Sequence, residues 1–393
     1  MSVDTSHTST FGVWDALIGQ PATFEQLRGE VMRGAPTHAW LFTGPPGSGR
    51  SVAARAFAAA LVCREERPED KGCGQCHPCR SILADAHPDV SVYATEEVQY
   101  RIEEVREWLE LAYRRPATAP WRVIIVEDAD RMTERTTNVL LKAIEEPPAH
   151  TLWLLCAPSP ADVLVTIRSR CRPVRLQIPP VEAITALLVK EGHAPEIAAQ
   201  AVRLSQAHVG VARWLAEQPA AMQRRLKIAA LPLQARSVAA ATALAQDLVA
   251  TTTEEATASS TDRNERELAA LKHSMGLAPD ENVPPKLRSY FKELEENHKR
   301  RNRRALNDAL DRAMVDVASF FRDCLSLQLG TGAALVNEEL MPNLGNYAAA
   351  TTPTHALTCI DAITVARERI QSNVPHQLAM EALAVNFVPE NRR

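Results

Sequence analysis

Residues 41–51, LFTGPPGSGRS, have the residue types of a loop that binds phosphate groups. The three glycines allow the backbone to turn so that successive N–H groups point at phosphate oxygens, and the helix expected after them adds its positive N-terminal end. The spacing fits the pattern G-x-x-x-x-G-K-[ST], except that arginine stands in place of lysine. The candidate nucleotide-binding residues of this loop are Gly44, Gly47, Gly49, Arg50 and Ser51.

The arginine of this loop leaves nucleotide binding open. Lysine offers a compact ammonium group to the β and γ phosphates, whereas arginine is longer, planar and suited to forked contacts, so the exchange at Arg50 is not conservative. The sequence therefore predicts a phosphate-loop fold. It is compatible both with a loop that holds ATP or ADP with Mg²⁺ and with a loop that holds no nucleotide.

A second candidate site is the acidic pair Glu127 and Asp128, which follows the apolar run VIIV. In working ATPases of this type, an aspartate that helps to hold Mg²⁺ comes first and a glutamate that polarises the attacking water follows. The reversed order displaces each carboxylate by one methylene, roughly 1 Å, and such a misplacement can cost about 100-fold in rate. The alternative is that both acids merely end a strand at the carboxyl edge of a sheet.

The strongest metal signal is a set of four cysteines, Cys63, Cys73, Cys76 and Cys79. Two C-x-x-C steps share one cysteine, and the fourth thiolate precedes them, so the set can close a tetrahedron around Zn²⁺. A site with four protein ligands leaves no position for water, and its role would be structural. The alternatives are four free thiols, or His77 in place of one cysteine.

The composition is that of a water-soluble globular protein. The chain has 393 residues, with 46% hydrophobic and 23% charged residues and a net charge of −4. It shows neither a secretory leader nor 18 consecutive apolar residues, so we expect a cytoplasmic protein with no membrane segment. Net acidity also argues against a third possibility, an autonomous zinc-containing DNA-binding module.

Short apolar runs alternate with helical patterns in the first half of the chain. Strands are expected at 39–44, 90–94, 122–130 and 151–158. Alternation of this kind predicts an α/β fold in which helices cover a parallel sheet, and buried parallel strands are continuously apolar. Beyond residue 180 the strand signals stop and the pattern becomes helical.

We expect three domains. The α/β phosphate-loop domain spans 1–178 and contains the zinc module at 63–79, a small helical domain spans 179–221, and a helical C-terminal domain spans 222–393. The polar stretch 251–291 is interpreted as a partly mobile insertion in the last domain.

A long helix is predicted after this insertion, from near Pro284 or Pro285 to about Leu329. Its early part carries KRRNRR at 299–304. This run either contacts DNA phosphates or forms a solvated helix face balanced by the preceding KELEE.

The order of these motifs resembles a known family. A phosphate loop, a four-cysteine module, LLKAIEEPP at 140–148 and TIRSRC at 166–171 follow one another as in the bacterial DNA polymerase III clamp-loader subunits of the AAA+ class. The similarity covers residues 12–220 and is fainter at 366–387. It implies an AAA+ domain, a helical lid domain and a C-terminal collar domain.

The resemblance also implies roles for particular residues. Arg170, in the Ser-Arg-Cys motif, would reach the γ-phosphate of a nucleotide held by a neighbouring subunit, where a guanidinium stabilises developing charge. Arg213 would sense the nucleotide of its own subunit, and residues 17–20, LIGQ, would line an adenine pocket. The alternatives are that Arg170 is an ordinary surface arginine and that Arg213 faces solvent.

Three departures indicate which type of subunit this is. The family's ATP-hydrolysing motor subunits carry a lysine loop, an Asp-Glu pair and a threonine after the fourth strand, where this chain has Arg50, Glu127 with Asp128, and Ala157 with Pro158. The combination resembles the family's stator subunit, which works with the gamma/tau and delta subunits, the sliding clamp and primed DNA. Little or no ATPase activity and no polymerase activity are expected. The alternative is an ATP-hydrolysing motor subunit of the gamma/tau type.

Overall fold

The chain consists of two compact units, Met1–Glu217 and Gln218–Arg393. The computed structural model describes residues 12–95, 99–275, 277, 278, 281, 283, 284 and 287–389.

The first unit is built on a five-stranded sheet in which every pairing is parallel. The strands are β1 (Ala39–Thr43), β2 (Val90–Tyr93), β3 (Arg122–Val126), β4 (Thr151–Ala157) and β5 (Arg172–Arg175). Their order is β2-β3-β4-β1-β5, so β1 lies between β4 and β5. Parallel neighbours need crossover connections, which the helices of this unit supply.

The described residues of the first unit form nine α-helices. They are α1 (Pro21–Arg33), α2 (Arg50–Leu61), α3 (His77–Leu83), α4 (Ile102–Ala112), α5 (Glu134–Glu145), α6 (Val165–Arg168), α7 (Val181–Lys190), α8 (Pro195–Leu204) and α9 (Val209–Glu217) among the residues described. Alternate residues of β1 point to opposite faces of the sheet. Trp40 therefore packs with Phe57 of α2, at 5.1 Å between ring centroids, while Leu41 joins Trp108 of α4 in the core on the other face.

The predicted α/β fold is confirmed, and each of the four expected strands is present. Strand β5 was not predicted, because RPVR has neither the continuous apolar run nor a regular alternation, and only Val174 is fully buried. It lies at the edge of the sheet, where Pro173 costs no ladder hydrogen bond. Helices α7 to α9 belong to the same compact unit as the sheet. Their separation as a lid domain at 179–221 stays a prediction, as does the three-domain division.

The second unit is helical. Its helices are α10 (Pro219–Ala229), α11 (Leu231–Gln234), α12 (Val238–Ser274), α13 (Arg288–Leu329), α14 (Met341–Ala350), α15 (Pro353–Gln371) and α16 (His376–Ala384). Its core is centred on Phe320 and Phe321 of α13, which pack edge to face at 5.5 Å.

Residues 251–274, the first part of the stretch interpreted as a partly mobile insertion, are helical, and the insertion itself stays a prediction. Helix α12 runs without a break to Ser274, because residues 251–274 hold no glycine or proline and the weaker helix formers among them, threonine and serine, are tolerated in a helix. Helix α13 begins at Arg288, close to the predicted start, and ends at Leu329, where Gly330 takes a left-handed conformation. The remainder of the predicted insertion falls partly outside the described residues.

Candidate phosphate loop, arginine finger and cysteine cluster

The phosphate loop connects β1 to the N-terminus of α2 and is tightly enclosed. At Gly44, an added Cβ would lie 2.5 Å from the carbonyl oxygen of Leu176, so a side chain has no room there. Gly47 has a φ of +86°, and a Cβ on it would come within 2.8 Å of His208. The two glycines therefore fix the backbone path that the phosphate-loop pattern requires.

The side chains of this loop are directed at the loop itself. Arg50 Nη1 donates a hydrogen bond to the carbonyl oxygen of Gly44, so the guanidinium folds back onto the first residue of the motif. Ser48 is buried, and its hydroxyl oxygen has no hydrogen-bond partner within the described structure. Burial and the nearby charge of Arg50 both lower the pKa of His208, which keeps the imidazole neutral beside the loop.

The acidic edge of the sheet is occupied by an arginine. Arg55, on α2, donates to a carboxylate oxygen of Glu127 through Nη1 and to Asp85 Oδ1 through Nε, the latter at 2.9 Å. Burial disfavours the charged form of Arg55, but its bonds to Asp85 and Glu127 outweigh that effect and raise its pKa. Glu127 is therefore held by a cation from its own chain, while Asp128 Oδ2 lies 4.0 Å from Nε of Arg131.

The segment without threonine lies next to the loop. Ala157 is the last residue of β4 and is in register with Thr43 of β1, and the N–H of Gly44 donates to the carbonyl oxygen of Pro158 at 3.2 Å. Neither residue carries a hydroxyl group. The position from which the motor subunits present a threonine is thus apolar here.

Arg170 follows α6 and immediately precedes the buried Cys171. Its Nη1 donates to the carbonyl oxygen of Thr166 at 2.8 Å, and its Nη2 lies 2.7 Å from Oε1 of Glu145, at the end of α5. The side chain is 40% exposed. The guanidinium is thus anchored at two points on the surface and remains accessible.

Arg213 makes a forked ion pair with Glu191. Its Nε and Nη2 lie 2.9 and 2.6 Å from the two carboxylate oxygens. The pairing raises the pKa of Arg213 and lowers that of Glu191. These hydrogen bonds join α9 to Glu191, the residue after α7, and do not involve the phosphate loop.

The segment expected to line an adenine pocket is fixed by Gln20. Its amide oxygen accepts from the N–H of Gln177 at 3.2 Å, and its amide nitrogen donates to the carbonyl of the same residue. Residues 17–20 therefore lie against the chain that leaves β5, within the first unit. Their contact with a nucleotide stays a prediction.

The four cysteines come together. Their sulfur atoms all lie within 4.8 Å of one another, with Cys63 Sγ at 3.7 Å from Cys73 Sγ and 3.9 Å from Cys76 Sγ. A tetrahedron with Zn–S bonds of about 2.3 Å has sulfurs about 3.8 Å apart, so the donor set fits Zn²⁺. The cluster found in the described residues consists of these cysteines and does not include His77.

Local structure explains how the cluster is formed. Cys63 follows the C-terminal end of α2, Cys79 lies in α3, and the two others lie in the turn between them. The N–H of Cys76 donates to Cys73 Sγ at 3.4 Å, as expected for a thiolate ligand. The hydrogen bond from the Cys79 thiol is the largest of the effects that lower the pKa of Cys63 to about 4.

Four residues that matter at these sites were not predicted from the sequence. They are Ser48, Arg55, Glu145 and His208. Arg55 had a usable signal, because it lies four residues after Ser51 and therefore on the same face of α2. The others depend on tertiary contacts that leave no local pattern.

The parallel sheet with a phosphate loop between β1 and α2 gives the chain the fold of a P-loop protein, the class that includes the AAA+ proteins expected from the sequence. The chain is 34% identical to DNA polymerase III subunit delta' of Pseudomonas aeruginosa over 227 residues, which cover 51% of this chain and 68% of that protein. It belongs to the family of DNA polymerase III delta' subunits. The resemblance to clamp-loader subunits is thereby confirmed.

Two further sequence comparisons agree with this family, and one solved structure is similar at a lower level. A family model described as DNA polymerase III, delta subunit, matches residues 19–180. Subunit gamma/tau of Mycobacterium tuberculosis is 32% identical over 182 residues, covering 44% of this chain and 31% of that protein. A solved DNA polymerase III gamma subunit-related protein from Thermotoga maritima has a TM-score of 0.40 and 16% identity, covering 94% of this chain and 99% of that one.

Membrane insertion finds no support in the helices. Within the described part of the chain, none of them combines the length and the apolar character needed to cross a bilayer.

Proposed function

We propose that the chain is the stator subunit of the DNA polymerase III clamp loader. In this role it supplies Arg170 to the ATP site of a neighbouring gamma/tau subunit while its own phosphate loop stays catalytically silent. The assembly, completed by the delta subunit, opens a sliding clamp and places it on primed DNA. This work belongs to the cytoplasm, where the DNA is replicated.

The observation that carries the proposal is the state of the chain's own phosphate loop. Arg50 contacts Gly44 within the loop, and Glu127 is paired with Arg55. A catalytic carboxylate must be available to Mg²⁺ and water, and a loop cation must be available to phosphate. Each of these groups is instead satisfied by a partner in the same chain.

The accessibility of Arg170 supports its role in trans. A guanidinium that acts on another subunit must be exposed and yet restrained, because a free side chain would lose rotamer entropy when it binds. Glu145 and the carbonyl of Thr166 supply the restraint, and the exposed surface leaves the remaining N–H groups free to reach a phosphate.

The test is the ATPase activity of the reconstituted loader. Replacement Arg170→Ala in this subunit should lower clamp- and DNA-stimulated turnover by about 10³-fold or more at the neighbouring site. The matched control is Arg168→Ala, since Arg168 is two residues away and bonds to the carbonyl of Pro160. Turnover that is equal in both variants and the unmodified loader would remove Arg170 from its assigned role.

We assign a structural role to the cysteine cluster. Zn²⁺ held by four thiolates has no open coordination position and supplies no catalysis. It would hold the turn between α2 and α3 and so fix the C-terminal end of the helix that begins at the phosphate loop.

The second candidate function is an ATP-hydrolysing motor subunit. It is favoured by the 32% identity to a gamma/tau subunit and by the retained loop geometry, including the left-handed Gly47. The isolated chain and its Arg50→Lys variant separate the two functions. Brisk hydrolysis by the unmodified chain supports the motor, whereas no hydrolysis and no binding of labelled ATP support the stator. Activity gained only in the variant would also support the stator.

The role of Glu127 can be tested by replacing its partner, Arg55. Replacement Arg55→Met releases the carboxylate from its ion pair. If the Arg55–Glu127 ion pair contributes to the inactivity of the phosphate loop, the double variant Arg50→Lys/Arg55→Met should bind ATP with Mg²⁺ more tightly than Arg50→Lys alone. Equal affinities would show that Arg55 is only a packing residue.

A further inference from the structure

The basic run at 299–304 takes no part in the proposed function. The segment from Lys292 to Arg304 contains six lysines and arginines against three glutamates. It lies in the first half of α13, which packs along α12 as the second arm of a helical hairpin within the second unit. The arrangement of these charges depends on which face of α13 contacts α12.

The face of α13 that contacts α12 is fixed by an ion-pair cluster. Glu267 of α12 accepts from Arg301 through both of its oxygens, at 2.8 and 2.7 Å, and lies 3.0 Å from Nε2 of His298. Arg301 and His298 are largely buried, with 15% and 14% of their side chains exposed. Both side chains thus bind Glu267 within the hairpin and lie on the α12 side of α13.

The opposite face of α13 carries a basic stripe, which we define as Arg288, Lys292, Lys299 and Arg303. All four residues are exposed. Their spacings of four, seven and four residues place them within about 60° of one another around the helix and along about 22 Å of its length. The four basic residues lie on one side of the helix, but the positive charge along the stripe is interrupted, because Glu295 and Glu296 lie on either side of its middle.

Part of the acidic charge beside the stripe is already used. Glu296 lies 3.8 Å from Arg300, one turn along the helix, so this pair is internally balanced. Within the described part of the chain, Lys299 and Arg303 form no ion pair. The stripe therefore keeps a positive excess.

The stripe has the chemistry of a phosphate-contact surface. Protein interfaces depend on apolar and aromatic anchors at their centre, and the exposed aromatic of this segment, Tyr290, lies about half a turn away from Lys299. Phosphate contacts need only charge and spacing. The length of about 22 Å corresponds to about two-thirds of a turn of B-form DNA.

We propose that the stripe on α13 contacts the phosphate backbone of duplex DNA without reading its sequence. The inference does not depend on the role of Arg170, because it concerns a different unit and can be measured on the chain alone. Net acidity of the whole chain confines any such contact to this local surface.

The experiment measures binding of the full chain to a fluorescein-labelled duplex by anisotropy, between about 50 and about 200 mM salt. The variant is Lys292→Gln/Lys299→Gln/Arg303→Gln. Loss of three phosphate contacts should weaken binding at least about tenfold at the lowest salt and make the slope of log K against log salt shallower by about 2.7. Two unrelated duplex sequences should behave alike.

The matched control removes the same charge elsewhere, as Lys227→Gln/Arg236→Gln/Arg369→Gln, three exposed positions outside α12 and α13. It should keep the slope of the unmodified chain. The charge-preserving variant Lys292→Arg/Lys299→Arg/Arg303→Lys should do the same and guards against a folding defect. Equal losses in the stripe variant and the control, no DNA binding by the unmodified chain, or tighter binding of a polyglutamate peptide than of DNA would each overturn the proposal.

Discussion

Asp89 offers the sharpest test of how the sheet of the first unit is held together. Its side chain is fully buried and accepts from the N–H groups of Ala117, Thr118 and Ala119 at 2.6, 2.7 and 2.9 Å. Arg122, also buried, lies 3.2 Å from the same carboxylate. Asp89 directly precedes β2, and its carbonyl oxygen accepts from the N–H of Val123 in β3. The residue therefore joins the loop before β3 to the strands β2 and β3.

The replacement Asp89→Asn keeps the shape but turns one acceptor oxygen into an NH₂ group that faces donors. It also leaves the guanidinium of Arg122 buried without its charge partner. Breaking a buried pair by removing one partner costs about 3–5 kcal/mol. We expect the free energy of unfolding of the first unit to fall by about that amount.

Tryptophan fluorescence isolates this unit in a urea titration, because all six tryptophans of the chain lie before residue 218. The control Thr118→Val removes a single hydroxyl bond to the Asp89 carboxylate, at 3.0 Å, leaves the charge pair intact and should cost about 1.5–3 kcal/mol. If Asp89→Asn shifted the midpoint no more than this control, the carboxylate would not hold the sheet as described.

The pH dependence gives a second readout for Asp89. Burial raises the pKa of this carboxyl, but the backbone N–H groups that it accepts outweigh burial and hold the pKa below its ordinary value. A lowered folded-state pKa means that the stabilisation is present above the unfolded pKa of about 3.9 and is lost as the pH falls through the folded value. The Asn variant should lack this acid-sensitive part of its stability.

Three further predictions concern the metal cluster, the helical unit and the phosphate loop. Cys73→Ser should abolish retention of zinc after dialysis, measured with a chromogenic chelator, whereas Cys359→Ser should retain it. Burial raises the pKa of Asp316, which is paired with Arg225 at 2.6 Å, to about 6. The stabilisation that follows from this raised pKa is therefore fully present below about pH 4 and is lost as the pH rises through 6. The loss in the free energy of unfolding is at most about 3 kcal/mol. Thermal melts followed by far-UV circular dichroism should show that Asp316→Asn is insensitive to pH in this range. Gly44→Ala should lower the free energy of unfolding of the first unit by about 1–3 kcal/mol through overpacking, while Gly29→Ala, in a helix with open space around it, should not lower it.

Much of the first unit could be predicted because its signals are local. The four apolar strands are short runs bounded by turns, and the cysteine cluster follows from spacing alone. Strand β5 could not be found this way, because an edge strand with one buried residue lacks both the apolar run and the alternation. Polar composition at 251–274 led to the interpretation of a partly mobile insertion, whereas α12 continues through these residues because none of them is glycine or proline.

The partners of the candidate site residues were harder to predict. The sequence indicated that Arg50 and Glu127 depart from a working ATPase, but not that Gly44 and Arg55 would bind them. Contacts between residues 72 positions apart, as for Arg55 and Glu127, depend on the order of strands in the sheet. Arg213 shows the same limit, since its pairing with Glu191 joins two helices whose packing no local pattern specifies.

Helix α5 connects the two sites of the first unit. It begins seven residues after Glu127 and ends at Glu145, whose carboxylate pairs with Arg170. The helix is about 18 Å long. A packed helix moves as a body rather than compressing, and any displacement at its first turn reaches its last. Because Glu145 is the last residue of this helix, the position of the Arg170 side chain depends on how Leu140 and Ile144 of α5 pack in the core of the first unit.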